Sequence, residues 1–230
     1  MCGRYGQWSR RERIEELLGI PPSEGEEIPP KYNITPGTYP WIARADDGQP
    51  GLYAYFWGLV PYWSKDPKKG VRPINARTDT VAEKPMFRKL IKERRCLIPA
   101  DCYYEWKESP AGKQPHLFRM ASGDPFFFAG LWDVWHDGAP DAIASFTILT
   151  TDPNEVAATV HDRMPVIVQA KDYERWLDPK IRDTEKIADI LRPYPGGMVT
   201  YPISRRINSP KNEGAELIEP NEESGRGNAA

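Results

Sequence analysis

The residue with the most chemical potential stands second in the chain, in Met1-Cys2-Gly3-Arg4. A small residue at this position allows the initiator methionine to be removed, and the mature chain then begins with cysteine. Such a residue carries an α-amine and a thiol on one carbon skeleton. Their reference pKa values are about 7.7–8.0 and about 8.5, so each has a usable deprotonated fraction near neutrality. Two chemistries follow. The amine can serve as base for its own side chain, as in N-terminal nucleophile enzymes. Alternatively, amine and thiol both attack an aldehyde: the amine forms an imine, and sulfur closes on the imine carbon to give a five-membered thiazolidine, far more durable than an open Schiff base. A cysteine that merely follows the methionine is the bland alternative.

Three further segments supply partners for such chemistry. Pro73-Ile74-Asn75-Ala76-Arg77 offers an amide with fixed donor and acceptor geometry and a planar guanidinium suited to phosphate or carboxylate. In Cys102-Tyr103-Tyr104-Glu105-Trp106, period-2 alternation puts Glu105 on one face with Tyr103, away from Tyr104 and Trp106. A carboxyl in that aromatic setting is a candidate general acid if burial raises its pKa, and a solvated surface glutamate if not. His161-Asp162-Arg163-Met164-Pro165 places an imidazole, poised for proton transfer near pH 7, beside an acid or backbone carbonyl that can set its tautomer, and Arg163 adds a second anion clamp. The other two histidines, His116 and His136, sit in settings that read as surface or structural. No C-x-x-C or H-E-x-x-H spacing occurs, so neither a metal site nor a cofactor is expected.

These residues need a scaffold, and the pattern predicts one α+β domain built mainly of antiparallel strands, barrel-like, with a few short peripheral helices. Strands are expected at 39–45, 52–60, 95–99, 102–107, 116–120, 126–132 and 143–150, where aromatic and β-branched residues lie between Asp, Gly and Pro. Ser9 with Glu12 has the spacing of a capping box for a helix that Gly19 ends. Further helices are expected at 80–93, interrupted by Pro85, and at 171–177 and 183–191. The 24 prolines are spread along the chain, which favours short strands and many loops over long helices. Residues 21–30 read as an acidic loop, and 219–230 as a loose tail after a domain spanning 2–218.

Composition narrows the function classes. With 230 residues, one core of ordinary size can form without staples, and three cysteines (Cys2, Cys96 and Cys102) make no disulfide framework. No apolar run approaches a membrane span and no apolar signal segment opens the chain, so a cytoplasmic protein is expected. The formal net charge of −2 speaks against a strongly basic nucleic-acid binder. Yet residues 60–119 hold 14 Lys and Arg against 7 Asp and Glu, a local balance of +7 that leaves −9 for the rest. That is either a solvated stretch or one basic face hidden by the net charge. Phe56-Trp57-Gly58-Leu59-Val60-Pro61-Tyr62-Trp63 lies just before the basic region: Phe56 and Trp57 read as core, whereas Trp63, among Pro61, Ser64 and Lys65, reads as exposed and able to stack a base.

Taken in order, these motifs resemble the SOS-response-associated peptidase family, abasic-site-processing proteins that crosslink to damaged DNA. The resemblance rests on Met1-Cys2-Gly3-Arg4-Tyr5, Tyr32-Asn33-x-x-Pro36-Gly37-Thr38, Phe56-Trp57-Gly58, Ile74-Asn75-Ala76-Arg77, Glu105-Trp106-Lys107, His161-Asp162-Arg163-Met164-Pro165, Pro202-x-Ser204-Arg205 and Lys211-Asn212-x-Gly214-Ala215-Glu216-Leu217, across residues 2–218. It implies that Cys2 condenses with the aldehyde of an abasic site in single-stranded DNA and closes a thiazolidine. Glu105 would be the acid for ring opening and imine formation, Asn75 would hold the Cys2 end and the sugar oxygen, and His161 would shuttle protons. Arg77, Arg163 and Arg4 would hold flanking phosphates, and Trp63 would stack at the edge of the strand, although Ser64 stands where relatives can carry a second tryptophan. The resemblance further implies a monomer that meets single-stranded DNA at single-strand/double-strand junctions, joins the nucleoid when bound, and releases Met1 by autoproteolysis at the same site. Two other functions fit the residues alone: an N-terminal nucleophile cysteine peptidase or amidohydrolase acting on peptides or small amides, and a non-catalytic single-strand-binding module based on segment 53–77.

Overall fold

A computed structural model of the chain describes residues 2–21, 27–46, 49–110 and 112–221. The described residues form one α+β domain of mostly antiparallel strands, curled into a half-barrel. One sheet has five strands in the spatial order β14 (Met198–Pro202), β9 (Gln114–Met120), β8 (Cys102–Lys107), β1 (Tyr5–Gln7), β2 (Lys31–Ile34). The other runs β12 (Met164–Pro165), β11 (Ile143–Thr151), β10 (Phe126–Trp135), β7 (Arg95–Ala100), β3 (Trp41–Asp46), β4 (Gln49–Ala54), with β13 (Ile167–Val168) on β10. Two short strands, β5 (Phe56–Trp57) and β6 (Asn75–Arg77), pair with β11 in parallel.

Three hydrophobic clusters account for the layers. β7 and β10 are buried on both faces: Cys96, Ile98, Phe126 and Phe128 enter the cluster that holds Cys2, Tyr5, Tyr103 and Phe118, while Leu97, Phe127 and Leu131 enter a second under the helices. This double burial explains why β7 after Arg95 reads as an apolar run rather than an alternation. On β8 the alternation predicted from sequence holds. Tyr103 packs with Cys2, whereas Cys102, Tyr104 and Trp106 pack on the far face with Ile203, Ile207 and Leu217. Glu105 therefore shares the Cys2 side of the sheet.

The predicted strands appear with shifted ends, and 52–60 divides into β4 and β5. The chain turns off β5 at Gly58, whose φ of 137° is a conformation that side-chain-bearing residues rarely adopt. Helix α1 (Arg11–Leu18) ends at Gly19 in the left-handed region (φ 63°), as expected, but the capping box does not form. Arg10 is the N-cap, and Ser9 Oγ instead donates to Asp101, which also accepts the Trp8 and Ser9 backbone N–H groups. A long-range carboxylate outcompetes the local cap. The segment 80–93 is a run of turns with one helical stretch, α2 (Leu90–Glu93), because Pro85 has no N–H to offer the ladder. α3 (Glu155–Ala158) was not expected, α4 (Tyr173–Leu177) falls inside the predicted 171–177, and 183–191 holds only a 3₁₀ turn, Thr184–Ile187. Of the predicted acidic loop, 22–26 lies outside the described residues, as does the tail from 222; residues up to Asn221 are tied back, its N–H donating to Pro202 O. No helix among the described residues is long and apolar enough to cross a membrane.

Candidate active site

Cys2 is placed by strand pairing. β1 runs antiparallel to β8 with Tyr5 opposite Tyr103, and the Tyr104 N–H donates to Arg4 O at 3.0 Å. Extending that register sets Gly3 opposite Glu105, so the chain start is laid along β8 toward the carboxylate. Close approach at Gly6 makes this possible: a Cβ there would meet Cys102 Sγ and the Trp8 ring, both at 2.9 Å. The second anchor is Asn75. Its strand β6 pairs with β11 (Asn75 opposite Ile148), and its Nδ2 donates to the Cys2 carbonyl at 2.8 Å.

Cys2 is fully buried. Burial pushes its thiol well above the ordinary range, and the charge of Glu105 adds to the shift. Glu105 is itself only 4% exposed, and burial raises its pKa, with the charge of His161 opposing. The aromatic setting inferred from sequence thus has the predicted electrostatic consequence. Beneath lie Tyr5 and Tyr103, Tyr5 edge-on to Trp57 (centroids 5.3 Å) and Tyr103 stacked on Phe118 (4.6 Å).

His161 follows α3, which Asn154 caps by accepting the Ala157 N–H; the His161 N–H then closes on Ala157 O at 2.9 Å. Its Nε2 lies 4.0 Å from Glu105 Oε2. The Nδ1 atom faces two groups, the Arg163 backbone N–H at 3.0 Å and the exposed Asp162 carboxylate at 2.9 Å. The backbone amide can only donate, so in the neutral ring Nδ1 accepts from it and the proton sits on Nε2, toward Glu105. The amide of Arg163, rather than Asp162 or a backbone carbonyl, sets the tautomer.

An open cleft of about 630 Å³ lies over this group and is lined by Arg4, Glu105, Trp106 and His161, among others. Arg4 Nη1 donates to Asn33 Oδ1 and to Ile207 O, both at 2.6 Å. Asn33, which the sequence offers only within the Tyr32-Asn33-x-x-Pro36-Gly37-Thr38 motif, is thereby the holder of Arg4. The remaining cations are placed differently. Arg77 is exposed at the end of β6 and paired with Asp79 at 2.6 Å. Arg163 is buried and spends its guanidinium on Asp152 (2.9 Å) and Thr150 O (2.8 Å). Trp63 is 55% exposed, on a loop fixed to β10 by the Tyr62 N–H donating to Asp133 (2.9 Å) and the Trp135 indole donating to Ser64 O (2.6 Å). The structure thus gathers Cys2, Asn75, Glu105, His161 and Arg4 in one place and sets Arg77, Arg163 and Trp63 outside the cleft lining.

Fold and geometry together define a strand-rich α+β protein whose candidate reactive group is its own second residue, held by an amide and faced by a buried carboxylate and an imidazole. The chain belongs to the SOS response associated peptidase (SRAP) family, whose model matches residues 1–210. It is 40% identical over 222 residues to the abasic site processing protein YoqW of Bacillus subtilis (strain 168), covering 95% of this chain and 99% of that protein. It is 32% identical over 228 residues to the abasic site processing protein YedK of Escherichia coli (strain K12), covering 96% and 100%. A crystal structure of a protein from Bacteroides thetaiotaomicron superposes with a TM-score of 0.81 at 26% identity, covering 96% of this chain and all of that one.

Proposed function

We propose that this protein processes abasic sites in single-stranded DNA by forming a covalent thiazolidine through Cys2 once Met1 is removed. The observation that carries this reading is the Asn75 bond to the Cys2 carbonyl beside buried Glu105, because it fixes the backbone of the nucleophile while leaving amine and thiol to react. The α-amine adds to the open-chain aldehyde, and protonated Glu105 supplies the proton with which the hydroxyl leaves as water. Glu105, now a carboxylate, takes the thiol proton as sulfur bonds to the iminium carbon; the ring nitrogen keeps the proton it already carries, and the carboxylic acid is restored. Aldehyde, amine and thiol thus become thiazolidine and one water. His161 Nε2–H, facing Glu105, relays protons between the carboxyl and the sugar. Arg4 and the basic segment 60–119 hold flanking phosphates, and the protein acts as a monomer in the cytoplasm. The same carboxyl and imidazole can serve release of Met1: the Cys2 thiol attacks the Met1 carbonyl, freeing the α-amine, and water hydrolyses the resulting thioester. The test is intact-mass analysis before and after exposure to single-stranded DNA carrying one abasic site. The expected species is the chain lacking Met1 plus the oligonucleotide less one water, stable to heat. Finding only unmodified protein would reject the proposal.

A general acid must be protonated, so the crosslinking rate should fall as pH rises through the raised pKa of Glu105. Glu105→Gln should slow crosslinking by about 10²–10³-fold and abolish that limb of the profile. The same shift has a cost in stability. Folded Glu105 keeps a proton where an exposed glutamate has lost it, so stability declines as pH climbs from the ordinary carboxylate range through the raised value. Glu105→Gln removes this loss and should make the variant more stable at neutral pH by about 1 kcal/mol, read by denaturant titration. A variant that is both slower and less stable would contradict the assignment of a buried, protonated acid.

A further inference from the structure

Asn208 lines the cleft but has no part in the chemistry at Cys2. Asn208 is exposed, in the segment after β14, and lines the cleft with Arg4, Glu105 and His161. Its Oδ1 accepts the Trp106 indole N–H at 2.8 Å. An indole nitrogen is a donor only, so the bond settles which way the amide faces. What remains is Nδ2, two N–H donors with no partner among the described residues. The backbone on either side is pinned: Arg4 Nη1 donates to Ile207 O (2.6 Å), and Asn33 Nδ2 donates to Ser209 O (3.0 Å). Asn208 is therefore a preorganised, donors-only group on a fixed segment beside the Arg4 guanidinium, which lies 5.9 Å over the Trp106 ring. Of the nearby carboxylates, Glu108 is already paired with Lys113 (3.1 Å).

A donors-only group complements an acceptor-only one. In a DNA strand the abundant exposed group of that kind is the phosphodiester oxygen, whereas base edges mix donors and acceptors. We infer that Asn208 Nδ2 donates to a backbone phosphate of the strand lying in the cleft, and that Trp106 is the residue that positions it. The inference rests on the DNA reading above.

The experiment uses a fluorescein-labelled oligothymidylate without an abasic site, binding measured by anisotropy over a salt series, and in parallel the crosslinking rate on abasic DNA. Asn208→Ala should weaken binding about 3–10-fold with an unchanged salt slope, since a neutral contact releases no counterion. Asn208→Asp keeps the acceptor for Trp106 but turns a carboxylate oxygen to the strand, and should weaken binding more than Asn208→Ala does. A purely structural role predicts the reverse order, because the aspartate preserves the Trp106 bond. Crosslinking by both Asn208 variants should fall at limiting DNA and match the parent at saturation. If the parent protein binds and crosslinks while both Asn208 variants bind as it does, the inference is overturned. If the parent neither binds nor crosslinks, the DNA reading itself fails.

Discussion

Cys2→Ala should give no heat-stable adduct with abasic single-stranded DNA, a loss of more than about 10³-fold, the scale on which removal of a nucleophile acts. The variant should still form an adduct that borohydride traps. A host aminopeptidase can remove Met1 before alanine as before cysteine, so the variant obtains its α-amine without the thiol, and Asn75 holds this position through the backbone carbonyl rather than the side chain. The amine therefore stays in place and can still make an imine, but with no sulfur to close the ring the imine hydrolyses or eliminates the 3′ strand. Loss of one buried sulfur from a fully buried site costs about 1 kcal/mol, so the fold persists and the comparison isolates the thiol. The readouts are a denaturing gel after heating, with and without prior borohydride. Undiminished heat-stable product from Cys2→Ala would place the durable bond elsewhere and end the thiazolidine proposal. Loss of both products would mean that the alanine had displaced the amine as well.

The parts of this site differ in how far a single sequence discloses them. The face of Glu105 was legible because strand alternation is a local rule: Tyr103 and Glu105 on one side, Tyr104 and Trp106 on the other, as the packing has it. Its burial is a tertiary property, supplied by the chain start lying along β8. Asn75 could be matched by motif, but what places it is a parallel pairing of three-residue β6 with β11, and no alternation or capping signal marks so short a strand. β1, β2 and β14, which pair antiparallel, likewise lie outside the strands expected from sequence. Ser9 shows the opposite failure, a local signal present and overruled by a carboxylate from a distant turn. Asn208 carries no sequence signal at all; only the Trp106 contact gives its amide a direction. Sequence discloses chemistry best where a periodic element displays it and least where two remote segments must meet to orient it.

Arg95→Leu should be the most destabilising of the substitutions considered, by about 3–5 kcal/mol. Arg95 stands in the charged run Lys92-Glu93-Arg94-Arg95, a pattern that usually marks a solvated surface, yet it is 4% exposed. Its guanidinium donates to Trp176 O (2.6 Å), Ile91 O (2.9 Å), Lys92 O (3.1 Å), Ile181 O (2.9 Å) and Asp178 O. These carbonyls belong to the ends of α2 and α4 and the turn beyond, which are too short to hold together by helix propensity and leave their last carbonyls without internal partners. One cation thus caps two helices and joins both to β7. Burial lowers its pKa to about 10, so it remains charged at neutral pH, stabilised by the converging carbonyl dipoles and by the Trp176 ring at 5.6 Å. Leucine fills part of the volume but leaves five carbonyls facing an apolar side chain. Against a typical domain stability of about 5–15 kcal/mol, the loss is about a fifth or more. Because Arg95 points into the cluster under the helices and its neighbour Cys96 into the one around Cys2, the crosslinking rate per folded molecule should be unchanged. Urea titration of parent and variant checks the first expectation, and crosslinking at a temperature well below both midpoints checks the second. A shift under about 1 kcal/mol would show that the helix ends are held by packing alone.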